Sequence, residues 1–201
     1  MVAPFEREHV ARVAELHCRR LKGLLSAMGP RAAAAFYEGY LASPRCVAFV
    51  DEHAGVVRGF VLGSTDPERM RRDALAANPG GILLGMVAAA LRRPSLLRHL
   101  AEGAMGLSGS GFDPRAPELT YIAVSEDARG AGVGSALLAA FQSALREKGV
   151  GRYELSVEAD NQDAVAFYES RGLRLAGTYR QFGTTYCRYA LELPAPGAEP
   201  R

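Results

Sequence analysis

Between Glu118 and Gly149 the chain reads "ELTYIAVSEDARGAGVGSALLAAFQSALREKG". An apolar, β-branched run passes through three alternate glycines directly into a helical pattern. Val133, Ala136, Leu137, Ala140, Phe141, Ala144 and Leu145 repeat at the 3.6-residue period of an amphipathic helix, which Gly149 ends. The alternation then continues. "RYELSVEA" is a strand, "NQDAVAFYES" a helix stopped by Gly172, and residues 173–193 two further strands. Strand, helix, strand, helix and strand in close succession predict a mixed α/β sheet with at least one parallel pair.

The first third of the chain is more loosely marked. Residues 7–25 place Val10, Val13, Ala14, His17, Leu21 and Leu24 on one helical stripe, and Gly29-Pro30 breaks it. "RAAAAFYEGYLAS" predicts a second helix that stops before Pro44. "CVAFVDEHAGVVRGFVLGS" reads as a hairpin turning at His53-Ala54-Gly55. Residues 66–114 differ. They hold two or three short helical patterns rich in Ala, Leu and Arg, and they close with "GLSGSGFDP". That segment is too small for a core of its own, so it reads as an insertion between two strands of one sheet. The expected organisation is one domain over 1–193 with this helical insertion, and a disordered tail at 194–201.

Composition sets outer limits. The 201 residues are 48% hydrophobic and 23% charged with a formal net charge of +2, as in an ordinary globular protein. So mild a charge is well short of a nucleic-acid footprint, and no nucleic-acid partner is expected. Cys18, Cys46 and Cys187 are far apart and lack metal-ligand spacing, so neither a disulfide framework nor a metal site is expected. "MVAPFEREHV" has charges where a leader would be apolar, and no apolar run approaches the roughly 18–20 residues that span a bilayer. A cytoplasmic location is therefore the expectation.

The glycine loop invites an anion. A P-loop would require a lysine where none stands between Gly130 and Ser143, and a dinucleotide fingerprint would require glycine where Ser135 stands. What is present is Arg129-Gly130-Ala131-Gly132-Val133-Gly134, an R-x-x-G-x-G pattern. Glycines let successive N–H groups converge, the helix start adds unpaired donors and partial positive charge, and Arg129 adds a planar fork. The combination suits a compact pyrophosphate.

R-x-x-G-x-G between a strand and an amphipathic helix resembles the acetyl-coenzyme A loop of the GNAT superfamily of N-acetyltransferases. Asn161, Ala164, Phe167, Tyr168 and Gly172 match that family's N-x-x-A-x-x-F-Y-x-x-x-G pattern, at the usual distance from the loop. The resemblance is close over about 117–193 and looser over 7–64. It implies a mostly antiparallel central sheet, flanked by helices, in which one parallel pair splays apart. It also implies acetyl-CoA as co-substrate and a primary amine as acceptor. Ile122, Ala123 and Val124 would contact the pantetheine and acetyl group. Backbone amides of Arg129, Gly130, Ala131, Gly132, Val133, Gly134 and Ser135 would take the pyrophosphate. Asn161 would cap its helix and bond the coenzyme chain.

For the chemistry, the resemblance gives Tyr168 the role of donor to the leaving thiolate, which a hydroxyl of ordinary pKa about 10 can fill at neutral pH. Glu118 stands where histone-type members carry a basic glutamate, and strand parity would put it on the face of Thr120 and Ile122. Glu158 is the second candidate base. Ser156 stands where ribosomal-protein N-terminal acetyltransferases tend to have glutamate, which weighs against that subclass. His17 on the first helical stripe reads as a packing histidine, with a substrate-facing base as the alternative because the first two helices border the acceptor side in this fold.

The insertion leaves the acceptor open. Its six arginines and five acids could complement helix dipoles, lid a pocket for an anionic acceptor such as an amino sugar, or meet a membrane surface or a second copy in a homodimer. The leading expectation is an N-acetyltransferase acting on a small-molecule amine by direct transfer. A non-catalytic acyl-CoA sensor or partner-binding module, and a protein N-terminal or lysine acetyltransferase, are the alternatives.

Overall fold

The computed structural model describes residues 1–77, 79–80, 113–181 and 183–194. Its strands are β1 (Val2–Pro4), β2 (Cys46–His53), β3 (Val56–Ser64), β4 (Glu118–Val124), β5 (Arg152–Glu158), β6 (Arg174–Gln181) and β7 (Thr184–Glu192). They form one sheet in the order β1-β2-β3-β4-β5-β7-β6. Neighbours are antiparallel except β4 and β5, which form the single parallel pair. This is the mixed, mostly antiparallel sheet that the sequence implies.

The described helices are α1 (Val10–Arg20), α2 (Leu24–Met28), α3 (Pro30–Leu41), α4 (Pro67–Ala77), α5 (Val133–Glu147) and α6 (Gln162–Glu169). They cover the two faces separately. On one face, Val13 and Ala14 of α1, Tyr37 of α3 and Met70 of α4 pack with Phe60 and Leu62 of β3 and Ala123 of β4. On the other, Leu137, Phe141 and Leu145 of α5 pack with Val61, Leu119, Tyr153 and Leu155. Those three α5 side chains are fully buried, as their spacing predicts, and each contributes roughly 1.5–3 kcal/mol of hydrophobic stabilisation.

The helix expected over 7–25 is divided. Arg7–His9 make a 3-10 turn, α1 ends at Arg20, and Leu21 is extended with φ −106° and ψ 144°. Gly23 at φ 113° then separates α2, a backbone position outside any right-handed helix. Leu21 and Leu24 preserve the helical spacing, so periodicity alone concealed the break. Strand β1 was not foreseen, because three residues cannot display an alternation. Of the insertion expected over 66–114, Pro67–Ala77 is α4, held to the domain by Met70, Ala74 and a Ser43–Asp73–Arg45 cluster. Its other helical patterns and the tail from 195 lie outside the described residues. No helix among the described residues is long and apolar enough to cross a membrane.

The β3–β4 ladder carries one irregularity. Leu62 pairs with Tyr121 while Gly63 pairs with Leu119, so Thr120 is an extra residue in β4. A Cβ on Gly63 would lie 2.2 Å from the Glu118 carbonyl oxygen and 2.6 Å from the Phe141 ring. Only glycine permits this approach of β3, β4 and α5 at the bulge.

Candidate active site

Strands β4 and β5 pair only at Glu118↔Glu154 and Leu119↔Leu155. Beyond that point β5 continues its ladder with β7 through Glu158, and β4 continues with β3 through Val124. The edge of β4 that would face β5 therefore has no strand partner past Leu119 among the described residues. A cleft of about 360 Å³ opens there. Ile122, Ala123 and Val124 line it from β4, and Asn161, Ala164, Phe167 and Tyr168 line it from α6. Arg129 and Gly134 stand at the loop, and Arg20 and Leu21 border the cleft from the end of α1.

Local conformation explains how the loop reaches the cleft. Glu126–Ala128 make a 3-10 turn, Arg129 is extended, and Gly130 and Gly132 have φ of 76° and 77°. A side chain at either position would be strained, and no atom lies within 4 Å of where its Cβ would stand. Helix α5 starts at Gly132 without a side-chain cap. The amides of Gly130, Gly132, Val133, Gly134 and Ser135 have no hydrogen-bond partner among the described residues. Two amides expected at the anion are already engaged. The Arg129 N–H donates to the Glu126 carbonyl at 3.1 Å, and the Ala131 N–H to the Ala128 carbonyl at 3.4 Å. The 3-10 turn consumes them. The contribution of Arg129 is its exposed side chain, which has no carboxylate partner among the described residues.

Helix α6 is fixed in three ways. The Asn161 Oδ1 accepts the Ala164 N–H at 3.2 Å, the capping role expected of it. Gly134 brings the loop against α6, where a Cβ would lie 3.4 Å from the Phe167 ring. Glu169 accepts the Tyr189 hydroxyl at 2.8 Å, tying the helix to β7. Tyr168 is thereby held at 6% exposure, and its hydroxyl has no hydrogen-bond partner among the described residues. Burial pushes the Tyr168 hydroxyl well above its ordinary range.

Glu118 departs from expectation. Leu119, Ile122 and Val124 all pack toward α5, whereas Tyr121 and Ala123 pack toward α1 and α3. The bulge at Thr120 reverses strand parity, so Glu118 does not share a face with Ile122. It stands on the α3–α4 side with Tyr40 and Tyr121, whose hydroxyls are pushed up by burial first and by its charge in addition. Its partner is Arg188, a buried residue that the sequence motifs do not mark. Arg188 Nη1 donates to Glu118 Oε1 at 3.1 Å and to Ser156 Oγ at 3.0 Å, and Nε donates to Glu154 Oε2 at 2.9 Å. Burial pushes the Glu118 carboxyl up, against the opposing pull of Arg188. A basic residue alternating with Tyr and Ala in "TTYCRYALE" was the available signal, but its carboxylate partners come from two other strands.

His17 is 1% exposed, with Nδ1 2.6 Å from the Tyr37 hydroxyl and its ring 4.9 Å from that of Tyr121. Burial lowers it to about 4, so it is neutral at physiological pH and packs as its place on the apolar stripe predicts. Glu158, the second candidate base, alternates with Ser156 on β5 beyond the last β4 pairing.

The fold has many counterparts among solved structures. The ribosomal-protein-S18-alanine N-acetyltransferase from Escherichia coli superposes with a TM-score of 0.62 at 17% identity, covering 100% of this chain and 98% of that one. Naa20 from Chaetomium thermophilum, solved with a bisubstrate analogue, gives 0.61 at 16% identity over 96% and 86%. At these identities the likeness is one of fold. The family model described as the Acetyltransferase (GNAT) family matches residues 11–173. The chain belongs to the GNAT family of acetyltransferases.

Closer sequence relatives match over a shorter stretch. Mycothiol acetyltransferase from Corynebacterium jeikeium is 39% identical over 64 residues, 32% of this chain and 19% of that protein. The Kocuria rhizophila protein of the same name is 41% identical over 64 residues, 32% and 21%. The match thus spans about a fifth of the length of these curated relatives.

Proposed function

We propose that this chain transfers the acetyl group of acetyl-CoA to a primary amine of a small-molecule acceptor, directly and without an acyl-enzyme. One observation carries the reading: the R-x-x-G-x-G loop and the Asn161–Tyr168 segment line the same cleft, whose floor is the edge of β4 left without a strand partner among the described residues. The mycothiol acetyltransferases, enzymes of acetyl transfer by name, support the reaction class.

Each part of the cleft has a physical role. A chain of amides such as pantetheine can add to the open β4 edge as an extra strand, beside Ile122, Ala123 and Val124. The free amides from Gly130 to Ser135 and the Arg129 guanidinium suit a diphosphate at the helix mouth. Asn161 can serve the coenzyme chain while it caps α6. Acetyl-CoA, used generally by the family, supplies an acetyl thioester: the amine nitrogen forms the new C–N bond, the C–S bond breaks, and the sulfur leaves as thiolate.

Tyr168 donates a hydrogen bond to that sulfur. Its elevated pKa keeps the proton on oxygen throughout the physiological range. A thiol ionises near 8.5, so complete transfer from so weak an acid is uphill, and the proton lost by the amine ends on sulfur or solvent. Supplying a neutral amine of pKa about 10.4 at pH 7 costs roughly 4–5 kcal/mol. Glu118 does not line the cleft, so it reduces that cost as base through a chain of water: Arg188 holds Oε1, Oε2 has no partner among the described residues, and burial makes the carboxylate more basic. The thiols of Cys18 and Cys46 are pushed up by burial, Cys46 to about 12, which suits neither to a covalent route.

The test is thiol release with a panel of amines after calorimetry with acetyl-CoA. Tyr168→Phe is expected to lower kcat at least about tenfold with unchanged acetyl-CoA affinity. Unchanged turnover would remove Tyr168 from the chemistry. Binding without release on any amine would make the protein a sensor.

A further inference from the structure

We propose that Arg171 holds the ribose 3′-phosphate of the coenzyme and so selects full coenzyme A over its dephospho form. The inference rests on the coenzyme reading above. Arg171 lies two residues beyond the end of α6, and its guanidinium sits 3.7 Å over the Phe167 ring. Nη1 donates to the Phe167 carbonyl at 2.8 Å and to Ser170 Oγ at 2.9 Å, and Nη2 donates to Ser135 Oγ in the first turn of α5. All three acceptors are neutral, and no carboxylate among the described residues pairs with Arg171. Its Nε–H and one Nη2–H remain as donors. The result is a pre-oriented cation without counter-charge among the described residues, bridging the phosphate loop and the helix of Tyr168. Such a guanidinium gives up little further entropy when it takes an oxyanion.

Position distinguishes its role from that of Arg129. Arg129 lines the cleft and Arg171 does not. Coenzyme A carries two separate anionic groups, the diphosphate and the 3′-phosphomonoester. With pantetheine in the cleft, the diphosphate falls at the α5 amides and Arg129, and the monoester lies beyond them, outside the cleft. The other arginine of the cleft, Arg20, is already 3.6 Å from Glu126. Arg171 joins Arg129 as a cation beside the α5 start with no carboxylate partner among the described residues and, unlike Arg129, it lies outside the cleft.

The experiment is calorimetry of the whole chain with coenzyme A and with 3′-dephospho-coenzyme A. The wild type is expected to bind coenzyme A at least about tenfold more tightly, the scale of one charge-assisted contact. In Arg171→Gln that ratio should fall to near one, with dephospho-coenzyme A bound within about twofold of wild type, and Arg171→Lys should recover part of the ratio. Equal affinities for the two ligands in the wild type would overturn the proposal whatever the variants do. Equal weakening of both ligands by Arg171→Gln would also overturn it, assigning the arginine to loop support. If Arg171→Gln does not fold, an undiminished ratio in Arg171→Ala and Arg171→Lys alike overturns it, and a graded loss upholds it. A wild type that binds neither ligand refutes the coenzyme reading itself, and this inference with it.

Discussion

Helix α5 begins at Gly132, which has no side chain to cap it, whereas α6 begins at Asn161, whose Oδ1 accepts the Ala164 N–H. Both helices follow a strand of the same sheet, and both present their first turns to the same cleft. In α6 the exposed donors are partly satisfied from within, and the cap fixes where Tyr168 stands. In α5 five consecutive or near-consecutive amides are left without partners among the described residues, with Arg129 and Arg171 on either side. One start is closed and serves geometry. The other is open, and its unpaired donors suit the anion proposed above.

That contrast can be broken most severely by closing α5. Gly132→Asp places a carboxylate at the open amides in a left-handed position that aspartate tolerates better than most residues. Acetyl-CoA affinity in calorimetry should fall by about 100-fold or more, since like charges would then compete for the same donors. Retained binding would show that the anion site is elsewhere. Arg129→Ala keeps α5 open and removes one cation. It should weaken coenzyme A and acetyl-CoA alike by roughly 1.5–3 kcal/mol, and identical affinity would mean that the side chain serves only solvent. The smallest effect belongs to the closed start. Asn161→Ala should cost about 1 kcal/mol of stability in denaturant unfolding, the ordinary worth of a cap. Its KM for acetyl-CoA should rise as well if the amide also bonds the coenzyme chain, and a change in stability alone would confine Asn161 to capping.

The two sheet faces differ in how far they could be read in advance. The α5 face was legible because Val133, Leu137, Phe141 and Leu145 repeat one period without interruption, and β5, α6, β6 and β7 follow with clear turn residues between them. The α1 face was legible only in part. The stripe from Val10 to Leu24 continues in the sequence across a real break at Leu21–Gly23, since Leu24 follows Leu21 at helical spacing. At the site, Tyr168, Asn161, Arg129 and the three β4 residues line one cleft. Glu118 does not share the face of Ile122, because a one-residue bulge inverts parity and no composition signal marks it. Arg188 and Arg171 were invisible for a related reason: each makes a defining contact with a residue at least 34 positions away in sequence.

The sequence by itself determined the alternation of strands and helices, the glycine loop at the mouth of α5 and the cap on α6, all of which depend on residues within a turn or two of one another. The tertiary structure decided that β4 and β5 part company after two pairs, that the Thr120 bulge swings Glu118 toward α3 and α4, and that Arg188 on β7 joins carboxylates from β4 and β5. Local chemistry acts through backbone dihedrals and nearby hydrogen bonds, which a linear pattern records. The β3–β4 register depends on the close approach of Glu118 and Phe141 to Gly63, a contact between segments that meet only in the folded chain.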